Sequence, residues 1–230
     1  MSKRFTAVLL ALVLAILPVV SMANQFDPSH ALAYMSGKFT CGCSFYGTGA
    51  MIGRRGLITA GSCLYCYKHG KPLQYCNFLF GARNPNSGWY RYDGKFTYRV
   101  YDTFSNGYDS ANDIGYVVFN SPVGDETGWF GWQVGSDWYL DQEYTHMVTL
   151  DENAKECFAN GVQYVINDKQ IKWSGYPYGA AEGGPVFFDN EDTEYQVVAV
   201  YTSHDSSGNG IGRRLTSDVI NDMTNDGAFR

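Results

Sequence analysis

The residue types with most reactive potential in this chain are its cysteines. Six occur, as Cys41-Gly-Cys43, Cys63-Leu-Tyr-Cys66, Cys76 and Cys157. An even number in an oxidising compartment points to disulfides. Metal binding is the competing chemistry, because two pairs lie close in sequence. A structural zinc site usually draws on two CxxC pairs or a His partner, and only one CxxC is present. Disulfides are therefore the expectation, with the pairing open and no metal or other cofactor assigned. The four histidines, His30, His69, His146 and His204, have no paired spacing, so each is expected at the surface or in a hydrogen bond.

The elements that must position any chemistry follow a leader. Lys3 and Arg4 precede an apolar run from Phe5 to Val20, and Ser21-Met22-Ala23 offers the small residues of a cleavage site. Residues 1–23 are expected to be a signal peptide, cleaved near Ala23, so the protein is secreted or periplasmic and not membrane-bound afterwards. Acidic residues outnumber basic ones 23 to 17, and removal of Lys3 and Arg4 widens the gap. That balance argues against nucleic acid or anionic lipid as partner.

After the leader, helical periodicity is nearly absent. Short β-rich runs alternate with Gly, Asn and Asp. Trp89–Tyr92 and Lys95–Tyr101 flank Asp93-Gly94 as an expected hairpin. Val162–Ile166 and Lys169–Trp173 flank Asn167-Asp168 as a second. Ile114–Phe119, Pro185–Phe188 and Gln196–Thr202 suit buried strands, while Thr216–Met223 places Val219, Ile220 and Met223 on one helical face. The pattern is all-β with a short C-terminal helix.

Four segments, in order, resemble the signature blocks of chymotrypsin-like serine proteases, closest to the glutamyl-endopeptidase branch. Gly47-Thr48-Gly49-Ala50-Met51-Ile52 and Leu57-Ile58-Thr59-Ala60-Gly61-Ser62-Cys63 resemble the block carrying the His base. Asn112-Asp113-Ile114-Gly115, followed by Ser121-Pro122-Val123-Gly124 and Gly128-Trp129-Phe130-Gly131, resembles the block of the catalytic Asp. Ala180-Ala181-Glu182-Gly183-Gly184-Pro185 resembles the nucleophile block, and Asn209–Thr216 the closing segment. The resemblance implies two six-stranded antiparallel β-barrels in residues 24–230, barrel 1 at about 24–130 and barrel 2 at about 131–230.

It also implies a degenerate triad. Asp113 is retained, but Ser62 stands at the base position and Glu182 at the nucleophile position. A serine hydroxyl does not take up a proton near neutral pH, and an acylated carboxylate is an anhydride that water destroys. Ala180 falls where the family has an oxyanion-hole Gly, so that hole, shared with the Glu182 amide, is in doubt. The Glu182 carboxylate could instead turn into what remains of the hole. Tyr201, after Val198-Ala199-Val200, replaces the His that meets a substrate glutamate.

The expected function is thus a catalytically inactive, monomeric homologue. It would bind a protein or peptide, a protease or an inhibitor among them. The alternative is an active endopeptidase or other hydrolase with relocated chemistry. That chemistry could run through Asp113 and Glu182 as paired carboxylates or through His204; Ser62 beside Asp113 alone would lack a base.

Overall fold

The computed structural model describes residues 27–82, 84, 86–101, 108–175, 179, 181–188 and 195–230. The leader expected at 1–23 therefore lies outside the described residues, as does Ala180.

The first sheet contains β1 (Leu32–Phe39), β2 (Ser44–Met51), β3 (Gly56–Thr59), β4 (Tyr65–Cys66), β5 (Lys71–Phe80), β6 (Tyr90–Tyr92), β7 (Phe96–Val100) and β8 (Gly115–Phe119). Its order is β4-β5-β1-β2-β3-β8-β7, with β6 added on β5. The second contains β9 (Gly131–Trp132), β10 (Tyr144–Leu150), β11 (Glu156–Val165), β12 (Gln170–Trp173), β13 (Pro185–Phe188), β14 (Gln196–His204) and β15 (Gly210–Arg214). It runs β13-β10-β11-β12-β15-β14-β9, and β13 also pairs with β14, which closes a ring of six.

The sheets thus have eight and seven strands where six each were expected. The surplus is β4, β6 and β9, which are only two or three residues long. Each barrel keeps six principal strands. Two single helical turns, Gly124–Thr127 and Asp137–Leu140, also lie outside the expected pattern.

Continuous apolar sequence goes where both faces of a strand are covered. Gly115–Phe119 is buried at every residue. Phe119 is the hub of the first core: Tyr92 and Phe78 meet it edge-on at centroid distances of 4.6 and 5.0 Å, a geometry that aligns ring edge with ring face. Trp173, Ile171, Leu140, Val198 and Tyr201 form the second core.

The hairpin expected around Asn167-Asp168 is present, with Val165 opposite Ile171. The one expected around Asp93-Gly94 is not. Its strands form, but β6 pairs with β5 and β7 with β8. Splitting them lets Tyr92 turn inward onto Phe119, which buries more apolar surface than a free ribbon could.

The terminal helix, Ser217–Asn225, buries Val219, Ile220 and Met223 as its spacing requires. They join the first core, so the end of the chain returns to the barrel where it began. Polar contacts fix that return: Tyr116 Oη donates to Asp226 Oδ2 at 2.7 Å, and Arg99 meets Asp222 at 2.8 Å.

Candidate functional site

Adjacent strands carry Ser62 and Asp113 to one place. β3 and β8 pair with Thr59 opposite Gly115, so the residues just after β3 and just before β8 leave the sheet together. Ser62 sits in the short helical turn Gly61–Cys63, and its amide donates to Asp113 Oδ1 at 2.8 Å. This is the backbone role that a buried carboxylate needs.

Glu182 arrives from the second barrel on the loop before β13. Among the described residues, four main-chain bonds hold that loop. Thr48 N donates to Glu182 O at 2.9 Å, Ala181 N to Leu150 O at 3.2 Å, Gly183 N to Tyr201 O at 2.8 Å, and Tyr201 N to Gly184 O at 2.8 Å. The loop therefore stitches both barrels.

Gly183 makes this course possible. Its φ is +97°, and a Cβ there would stand 2.0 Å from Thr48 O. Gly183→Ala is expected to destabilise the fold by about 3 kcal/mol or more, since strain and a backbone clash add. Gly208, with φ +77° and nothing within 4 Å of its Cβ direction, is the control. Ala there should cost only about 1 kcal/mol. Urea unfolding of both variants checks this, and equal losses would refute the clash.

The Ser62 hydroxyl donates to Glu182 Oε2, bridging the two barrels. The Glu182 carboxyl is thus turned toward Ser62. Asp113 is wholly buried, and its Oδ2 has no hydrogen-bond partner among the described residues. Burial, reinforced by the nearby Glu182 charge, pushes the Asp113 carboxyl up to about 8. Burial also raises Glu182 above the usual carboxylate range, with the Ser62 bond pulling the other way. At neutral pH Asp113 therefore keeps its proton, and the site holds at most one charge between its two carboxyls.

Two neighbours were not legible as site residues. Tyr108 is raised by burial, then by the charges of Asp113 and Glu182. Its ring lies 4.9 Å from that of Tyr67. Cys63 Sγ lies 3.7 Å from Glu182 O. Burial and the same two carboxyls hold its thiol well above the ordinary range, so it is no thiolate nucleophile.

No family model matches the chain. It is 24% identical over 220 residues to an extracellular metalloprotease of Bacillus subtilis, covering 89% of this chain and 65% of that protein. It is 24% identical over 189 residues to a glutamyl endopeptidase of Bacillus licheniformis, covering 77% of this chain and 58% of that one. The chain thus spans less than two thirds of the length of either relative. Among solved structures, the thermostable serine protease AL20 from an extremophilic microorganism superposes with a TM-score of 0.72 at 12% identity. That match covers 88% of this chain and 99% of AL20. The fold is that of the trypsin-like serine proteases.

On this trypsin-like fold, Ser62 and Asp113 come from the first barrel and Glu182 from the second, on the loop before β13. The chain's histidines engage other groups. His30 stacks on Trp89 at 4.7 Å, His146 Nδ1 lies 3.0 Å from Asn160 Oδ1, and His204 Nδ1 lies 3.4 Å from Tyr201 Oη. His69 lies among cysteines instead.

No two cysteines stand at bonding distance, and all six are free thiols, so the structure does not show the expected disulfides. Cys63 belongs to the Glu182 loop contact, and burial raises the Cys76 thiol as well. Cys41, Cys43 and Cys66 converge on His69, the one set of three or more metal-ligating side chains gathered among the described residues. The sequence leads to no metal and to a His69 at the surface or in a hydrogen bond. It is exposed, but its spacing from Cys66, Cys-x-x-His, was the signal that pointed here. No helix among the described residues is long and apolar enough to cross a membrane.

Proposed function

We propose that this chain is a secreted, monomeric serine-protease homologue that binds peptide or protein segments without hydrolysing them. The observation that carries the reading is the Ser62–Glu182 hydrogen bond beside a buried Asp113 whose Oδ2 lacks a partner among the described residues. On the reading that these are the triad positions, acyl transfer needs an imidazole between carboxylate and nucleophile. Here a two-carbon-shorter reach from Ser62 meets a carboxyl directly, and Asp113 has no ring to orient. The extended strands flanking the site would remain as a surface for peptide.

Extracellular location rests on the apolar leader and on a relative named as an extracellular enzyme. The purified chain is expected to leave unfolded casein and a mixed peptide library intact over a day. Peptides recovered on the immobilised chain should bind competitively with one another. Turnover that disappears in Asp113→Asn or Glu182→Gln would overturn the reading.

A second reading has one observation in its favour. The Ser62 hydroxyl already donates to a carboxyl raised above its ordinary range, the relation a nucleophile has to a general base. Such a hydrolase would gain activity as pH rises through the Glu182 titration, because the base works only when ionised. It would lose that activity in Ser62→Ala. A flat, zero profile from pH 3 to 9 excludes it.

A further inference from the structure

We infer that Cys41, Cys43, Cys66 and His69 form a structural zinc site that ties two turns of the first barrel together. Cys41-Gly42-Cys43 is the turn between β1 and β2, with Gly42 at φ +87°. That turn is closed by Gly42 N to Phe39 O at 2.8 Å and Phe39 N to Cys43 O at 2.9 Å. Cys66 ends β4, and His69 lies in the turn leading to β5. Pairing of β1 with β5, reaching Phe39 opposite Leu73, brings the two turns side by side. Thr40 N to Pro72 O, at 3.0 Å, extends the seam.

The distances suit a tetrahedral ion. Zinc with Zn–S near ~2.3 Å and Zn–N near ~2.05 Å places sulfur and nitrogen ligands about 3.5 Å apart, and sulfurs about 3.8 Å apart. His69 Nδ1 lies 3.5 Å from Cys43 Sγ and 3.4 Å from Cys66 Sγ. All four donor atoms fall within 4.8 Å of one another. Three thiols and an imidazole are a complete ligand set, and soft sulfur donors favour zinc over hard cations. Disulfides serve the same cluster poorly: pairing any two thiols would leave the third beside His69 alone.

With four protein ligands no coordination position is left open for substrate, so the ion's role is structural. On binding, the thiols release their protons to solvent while His69 coordinates as neutral imidazole. The tie begins at Cys66, four residues beyond Ser62, so it also anchors the strand leaving the candidate site. This inference does not depend on whether the protein hydrolyses peptides.

The chain, purified without chelator or reductant, is expected to carry about one zinc per molecule by elemental mass spectrometry. Exchange for cobalt should give the strong visible absorption of a tetrahedral thiolate site. Cys43→Ser and Cys66→Ser are each expected to weaken cobalt binding roughly a hundredfold. Cys157→Ser should leave it unchanged. His69→Cys, a change at an exposed position, should keep the metal and shift the cobalt bands to longer wavelength. Stripping the metal should lower Tm by about 10 °C. Zinc and cobalt both bound at well below one per chain would overturn the site. So would a disulfide mapped between any two of Cys41, Cys43 and Cys66, or Cys66→Ser binding cobalt as tightly as the parent.

Discussion

Changing Ser62 to His, Glu182 to Ser and Ala180 to Gly together is expected to turn a chain that leaves casein intact into one that cuts it, at a rate about 10³-fold or more above the parent's background. The parts that remain favour this. The residue 62 amide is already fixed on Asp113 Oδ1, and its side chain already reaches residue 182 across the barrel seam. A His at 62 would bring the N–H that Asp113 Oδ2 lacks, and that bond would orient the ring toward a Ser at 182.

Removing Glu182 also removes the charge that, after burial, holds the Asp113 carboxyl up. An imidazolium beside it would draw the Asp113 carboxyl further down, toward the ionised form the triad requires. Gly at 180 relieves any barrier to presenting a second amide, a donor worth about 3 kcal/mol in the transition state. The three changes act as a unit, so each single variant should remain inert. Casein fluorescence release by all five proteins, parent, triple and three singles, gives the answer. A triple variant that folds with the parent's Tm, binds peptide and still cuts nothing would show that these positions do not form a protease cleft.

Those positions were legible in the sequence only through the order of four blocks, and the strand pairing explains why that sufficed. Residues 62 and 113 are neighbours because β3 and β8 pair, and a pairing cannot be read from either strand alone. The same limit explains the hairpin that did not form. Alternation located Trp89–Tyr92 and Lys95–Tyr101 as strands, but partners were decided by where Tyr92 could bury its ring. Where the signal is local, the reading held: Val219, Ile220 and Met223 share a helical face and are buried, and β11 turns into β12 at Asn167-Asp168.

The cysteines fall between these cases. Cys66 and His69 are close in sequence, but Cys41 and Cys43 reach them only because β1 lies against β5. Counting residues favoured disulfides, and the geometry gathers a ligand set instead. The hydrogen bond from Ser62 to Glu182 had no sequence signal, since either side chain is ordinary at a surface.

Asp113→Asn is expected to stabilise the protein in alkaline solution and to leave it nearly unchanged in acid. Below about pH 4 the carboxyl is protonated in folded and unfolded chains alike, so Asp and Asn differ little. Between there and about 8, the folded value, the unfolded chain ionises while the buried group stays neutral. The folded state then holds the extra proton, and stability falls as pH rises. Above that value both states are ionised and the loss is complete.

Each pH unit of separation is worth about 1.4 kcal/mol, so the ceiling is roughly 6 kcal/mol; a gain of about 3 kcal/mol at pH 9 allows for relaxation around the charge. Asn keeps an oxygen for the Ser62 amide and removes the need to bury an anion. Glu182→Gln should act in the same direction more weakly, because it withdraws the second cause of the raised Asp113 value. Urea titrations of the parent and both variants at pH 4.5 and pH 9 would test this. A parent whose stability rises between those pH values, or an Asn variant less stable than Asp at the higher one, would mean that Asp113 is already ionised in the fold near neutral pH. It would then need a cationic partner, and the proposal of an imidazole-free site would fail with it.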